Sequence, residues 1–285
     1  MKIAISVETT ADLSKELIEQ YEISVIPFTV RLGEQIAQDG VITPPEIFAY
    51  VDETGVLPRT SAVNEFEYDE YFKKLKKEYD AIIHFSLGSK ISSSYFNAVK
   101  VSERMKYIYV IDSQTLSTAI GLEAIYARKL TKLIMSPKEI VEKVEERIPY
   151  AQASFVVNTL NYLHKGGRCS GLARFGGMLL RLKPQIIVRD GAMAPGKKYR
   201  GKSNITVAEY ARDILEEFDN PDLSEVFITH SYATPEMVDI CRQACIEKGF
   251  KNIHVTIAGA TISSHCGPKT IGILFFNDGN NHIGE

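Results

Sequence analysis

The first thirty residues, MKIAISVETTADLSKELIEQYEISVIPFTV (1–30), carry the pattern that sets the fold. Residues 2–7 and 23–30 are apolar, β-branched runs of the kind that form buried strands. Between them a helix begins near Asp12, with Leu13, Leu17 and Ile18 on one stripe at helical spacing. Strand, helix and strand in about thirty residues make a parallel pair joined by a crossover.

The alternation continues downstream. After an excursion over 31–39 and a short helix over 45–51, Asn64 caps a helix through Lys77 that carries Phe66, Tyr68, Tyr71, Phe72 and Leu75. Strands over 81–86 and 107–111 alternate with helices over 92–105 and 119–134, which predicts a parallel, helix-covered sheet. Ser136-Pro137 and the charged helix over 138–147 close this unit. A second opens with a strand over 153–157. Strands over 185–189 and up to Tyr199 flank Asp190-Gly191, a strong hairpin signal. A helix over 207–218, a strand over 225–230, a helix over 235–248 and strands over 252–257 and 270–276 complete it. The expected class is α/β in two domains: 1–152 with a parallel, Rossmann-like sheet, and 153–285 with a mixed sheet.

Composition narrows the function. The chain has 285 residues, enough for two domains, and 45% of them are hydrophobic, enough for full cores. The 33 Lys+Arg against 36 Asp+Glu leave net −3, which argues against a general electrostatic grip on nucleic acid. No signal-peptide pattern opens the chain and no eighteen apolar residues run together, so a soluble, cytoplasmic protein is expected. Cys169, Cys241, Cys245 and Cys266 have neither disulfide nor zinc spacing, and no metal site is expected.

Candidate chemistry lies in the loops. NTLNYLHKGGRCSGLARFGGMLLRLKP (158–184) sets Lys165, Arg168, Arg174 and Arg181 against paired glycines, beside Met178, Leu179 and Leu180. Cations beside closely approachable backbone suit an anion, although a helix cap and a core helix use the same letters. Hydroxyls crowd the places where strands lead into helix N-termini: Thr60 and Ser61, then Ser92, Ser93 and Ser94, then Ser113 and Ser117. Each alone reads as an N-cap; three successive serines exceed what one cap requires. GKKYRGKS, from Gly196 to Ser203, matches the phosphate-loop spacing, but it follows a hairpin return strand and its inner residues are bulky and charged. A Ser/His hydrolase using Ser92 and His265 is the other alternative. It lacks a nucleophile elbow and a placed acid, while His265 sits in SSHCGP, read as a small-residue loop.

In chain order, ETTADLS, PRTSAVNEF, SKISSSYFNA, DSQTLSTAIGL, LNYLHKGGRCS, LKPQIIVRDG with KKYRG, and SHCGPKTIGI together resemble the DegV family of bacterial fatty-acid-binding proteins, over nearly the whole chain. The resemblance implies a DegV-like fold enclosing one long-chain fatty acid in a tunnel between the domains. It also implies a partner, a separate ATP-dependent fatty acid kinase that forms the acyl phosphate for phospholipid metabolism. This chain would be the non-catalytic carrier, with no cofactor beyond its fatty acid and at most transient contact with a membrane surface. The carboxylate-binding positions carry over to Thr60 or Ser61, Ser92 with Ser93 beside it, and His265. Met178, Leu179, Leu180 and Leu182 become candidate tunnel walls, with core packing as the competing reading, and Arg168 and Arg200 candidate rim residues facing the kinase. Glu8-Thr9 stand where the family has Asp-Ser, Ala62-Val63 replace Gln-Pro, and Ser93 and Lys269 each replace glycine, changes that bear on pocket shape.

Overall fold

The computed structural model describes residues 1–169, 172 and 182–279. A four-stranded parallel sheet runs in the order β2 (Ile23–Ile26), β1 (Ile3–Glu8), β6 (Ala81–Ser86), β7 (Ile108–Asp112). Its central strands β1 and β6 are buried along their whole length, with Ile5 opposite Ile23 on one side and Ile83 on the other. The crossovers are α1 (Lys15–Gln20), between β1 and β2, and α4 (Ser94–Ser102), between β6 and β7. The helix α3 (Glu65–Leu75) leads into β6 from an Asn64 capping box and buries Tyr68 and Phe72.

The single strand expected over 23–30 is two. Pro27, which has no N–H to give a ladder, interrupts the run. The chain leaves the parallel sheet there and forms β3 (Thr29–Leu32) in a separate antiparallel sheet. In that sheet β3 is central, between β4 (Gln35–Gln38) and β5 (Arg59–Ser61), and α2 (Pro44–Thr54) connects the two outer strands.

The second half builds a six-stranded mixed sheet in the order β10 (Ala192–Tyr199), β9 (Lys183–Arg189), β8 (Ala151–Val156), β13 (Thr270–Phe276), β11 (Glu225–Ser231), β12 (Asn252–Ile257). Only β11 and β12 pair in parallel. The helices α8 (Ser203–Glu217) and α9 (Pro235–Lys248) cover one face, over a core that includes Tyr210, Ile228 and Phe275.

Between the sheets lies α5 (Thr118–Leu130). It packs on β1 and β6 from one side and on β8, β11 and β13 from the other. Eleven of its thirteen residues are buried, so it has no solvent face to set against a core face. The helix α6 (Pro137–Arg147) packs beside it and brings Arg147 to Asp222 and Asp278 at 2.5 and 2.7 Å.

The first four residues of the SSHCGP stretch, 263–266, are helical rather than loop. Residues 260–266 form a helix, α10 (Ala260–Cys266), because the first half of the chain supplies its cap. The Asp39 carboxylate accepts the amides of Ala260 and Thr261 at 2.8 and 2.9 Å, and Asp12 accepts that of Gly259 at 2.7 Å. His265 therefore sits on a short helix pinned at its start.

Candidate ligand-binding site

A cavity of about 440 Å³ opens where these parts meet. The small sheet contributes Thr60, from β5. The loop after β6 contributes Ser92 and Ser93, and α10 contributes Thr261 and His265. The segment following α7 (Asn161–Gly166) contributes Arg168. Deeper walls are apolar and include Phe28, Leu87, Leu116, Leu163 and Ile262, so hydroxyls, an imidazole and cations ring a greasy interior.

Strand alternation separates the threonine–serine pair. Thr60 lines the cavity, whereas Ser61, on the opposite face of β5, is exposed and outside it. Thr60 Oγ1 lies 2.8 Å from His265 Nε2. The other ring nitrogen, Nδ1, is buried without a hydrogen-bond partner and abuts Gly166, where an added Cβ would stand 2.8 Å away. A proton on Nδ1 would be stranded against that backbone, so the imidazole proton belongs on Nε2, donated to Thr60. The Thr60 hydroxyl, with an acceptor site so used, has its own proton free for the cavity. Ser92 is arranged alike: its Oγ accepts the amide of Ser94 at 3.2 Å, which leaves its O–H to donate elsewhere.

Burial, with the Arg168 charge second, pushes the pKa of His265 down to about 4, so the ring is neutral at physiological pH. Arg168 is exposed at the mouth and donates to the Gly166 carbonyl at 2.6 Å; Lys90 lines the same mouth and donates to the Asp190 carbonyl at 2.6 Å. Two cations at the rim and neutral donors inside suit an anion carrying an apolar body.

Other candidates lie apart. Arg200 is exposed beyond the end of β10 and does not line the cavity; Leu182 is buried in the main core. Met178, Leu179 and Leu180 lie outside the described residues. The 196–203 stretch forms no phosphate loop: residues 196–199 finish β10, an edge strand antiparallel to β9, and the Lys197 amide is bound by Gln185 Oε1 at 2.9 Å. A Ser92–His265 dyad fares no better. His265 is bonded to Thr60, its basicity is depressed, and no carboxylate orients its ring among the described residues. Thr261, Leu116, Leu163 and Ile262 were missed by motif reading; lone apolar residues carry no local signal, and Thr261 depended on an unrecognised helix.

This architecture is α/β, a parallel sheet and a mixed sheet on either side of α5, with a hydroxyl-rimmed cavity as its candidate ligand-binding site. A family model described as "Uncharacterised protein, DegV family COG1307" matches residues 2–278. The chain belongs to the DegV family. It is similar to the "Fatty acid-binding protein" of Thermotoga maritima, 30% identical over 282 residues, covering 95% of this chain and 96% of that one. Among solved structures it resembles the fatty acid binding DegV family protein from Thermus thermophilus (TM-score 0.88, 26% identity, 97% of this chain and 99% of the other). It also resembles DegV, a fatty acid binding protein from Bacillus subtilis (TM-score 0.84, 27% identity, 97% and 99%). No helix among the described residues is long and apolar enough to cross a membrane.

Proposed function

We propose that this chain binds one long-chain fatty acid in the cavity between units 1–152 and 153–285, with its carboxylate at Thr60, Ser92 and Ser93 and with His265 acting behind Thr60, whose hydroxyl it orients. The observation that carries this reading is the pair of hydroxyls, Thr60 and Ser92, whose acceptor sites are used internally while their protons stay free, above an apolar interior. A carboxylate is acceptor-only, so two donated protons match it. Each buried methylene contributes about 0.8 kcal/mol, so the chain supplies most of the affinity and the head group fixes orientation. The fatty-acid-binding relatives support the same ligand class.

The carrier role extends the proposal. The bound carboxylate, held by neutral donors near the mouth, is offered to a separate ATP-dependent kinase that forms the acyl phosphate, with Arg168 and Arg200 as docking cations and no catalysis by this chain. The first test is extraction: protein purified without added lipid yields a fatty acid by mass spectrometry, and an empty pocket in every preparation overturns the reading. For the carrier role, reversing the charge of both arginines slows partner-dependent acyl phosphorylation; an unchanged rate sinks that part alone.

A further inference from the structure

Beneath the serine loop lies a buried carboxylate that takes no part in lining the cavity. Glu8, at the end of β1, is fully buried. Its Oε1 accepts the hydroxyls of Tyr68 at 2.5 Å and Ser86 at 2.8 Å; its Oε2 accepts the Leu87 amide at 2.8 Å and the Thr10 hydroxyl at 3.2 Å. Four donors on two oxygens require the ionised form, since a protonated carboxyl would set a proton against them. Burial opposes that ionisation, but His84 beside it at 3.9 Å, with Ser94 and Tyr68, outweighs burial and holds the carboxyl below its usual range.

The donors lead upward. Leu87, gripped by its amide, lines the cavity. The Tyr68 hydroxyl also bonds Ser94 Oγ at 2.8 Å, and the Ser94 amide holds Ser92 Oγ at 3.2 Å. Both ends of the 87–94 loop are thus tied to one carboxylate, at Leu87 directly and at Ser94 through Tyr68. The His84 ring steadies Tyr68 from the side at 3.2 Å and is held in turn by Ser6 at 2.9 Å.

We propose that Glu8 is a positioning residue for the head-group site: acting through Leu87, Tyr68 and Ser94, it sets the loop that aims the Ser92 hydroxyl at a ligand's carboxylate. This rests on the fatty-acid reading above. A residue that aims a head-group donor affects ligands with that head group and spares ligands without it, whereas a residue that merely supports the fold affects both.

The experiment measures the affinity of wild type, Glu8→Gln, Glu8→Asp and Tyr68→Phe for oleate and for oleyl alcohol, which share a chain and differ in the head group. Glu8→Gln turns an acceptor oxygen into an NH₂ facing existing donors. It lowers oleate affinity roughly ten-fold, about the worth of one hydrogen bond to a charged group, and leaves oleyl alcohol within about two-fold. Tyr68→Phe, which cuts the link to Ser94, shows the same contrast, and Glu8→Asp, which keeps the charge, recovers part of the loss. Equal losses for both ligands, or none for oleate, overturn the proposal. Should Glu8→Gln fail to fold, Tyr68→Phe decides by the same contrast. Wild type binding neither ligand would instead overturn the fatty-acid reading itself.

Discussion

Replacing Thr60 with valine keeps the shape of the side chain and removes its hydroxyl. Two bonds disappear: the one His265 Nε2 makes at 2.8 Å and the one the Thr60 proton makes to a bound carboxylate. The second is a hydrogen bond to a charged group, worth about 1.5–3 kcal/mol, which weakens fatty-acid binding about ten- to a hundred-fold. The first loss also strikes the ligand-free protein. His265 Nδ1 already lacks a partner, so Thr60→Val leaves both ring nitrogens unpaired at a further cost of about 1–3 kcal/mol in stability. Isothermal titration with palmitate reads the affinity, and urea unfolding of ligand-free protein reads the stability. Thr60→Ser, with the hydroxyl kept, stays near wild type in both. Palmitate affinity of Thr60→Val within about two-fold of wild type would refute the assignment of the free proton to Thr60, and with it the tautomer of His265.

Ser92→Ala removes the other free hydroxyl and lowers palmitate affinity about ten-fold, with little change in the urea midpoint; unaltered affinity would move the head group elsewhere. Gly166→Ala places a methyl 2.8 Å from His265 Nδ1, pushes the ring off Thr60 and weakens binding although the residue carries no side chain to bind with; an unchanged ring resonance by NMR would contradict this. His265 and Asp12 make stability depend on pH in opposite directions. His265, with its folded pKa near 4 against an ordinary 6.5, is protonated first in the unfolded chain, so it costs stability as pH falls from about 6.5 to 4. Asp12 is raised to about 8 by burial, partly offset by its Ser117 and Gly259 bonds and aided by Asp39, so its contribution is whole below about 3.8 and is lost as pH rises to about 8. The two slopes oppose each other at acid pH, and between about 6.5 and 8 Asp12 acts without His265. Asp12→Asn therefore flattens the fall in urea midpoint over that upper window, and an unaltered slope would remove Asp12 as its source.

Much of the parallel sheet was legible because its strands are continuous apolar runs and its helices carry ordinary local signals. Residues 81–86 match β6 end to end, and the Asn64 cap starts α3. The failures at α10 and at the Thr60–Ser61 pair share a physical origin in contacts distant along the chain. Helix α10 could not be read locally, since the carboxylate that caps it, Asp39, is 221 residues away from Ala260. The 23–30 run hid its break because Pro27 is flanked by side chains, Ile26 and Phe28, that are both buried though they lead into different sheets. At the site, the hydroxyl crowding over 92–94 could be seen, but which residue of the Thr60–Ser61 pair faces inward depended on a strand that sequence read as loop. Glu8 was visible only as a departure from a familiar Asp; nothing local marks it as the acceptor of three hydroxyls and one amide, with an imidazole beside it.

The placement of α5 bears on how the chain is made. Its far side packs against β8, β11 and β13, and the last of these is not synthesised until residue 276. A nascent chain that has completed the parallel sheet therefore carries a helix with one finished flank and one bare apolar flank for the second half of translation. A fragment ending at residue 152 would expose the flank of α5 that β8, β11 and β13 cover, and an expressed fragment of that length is expected to aggregate where the full chain does not.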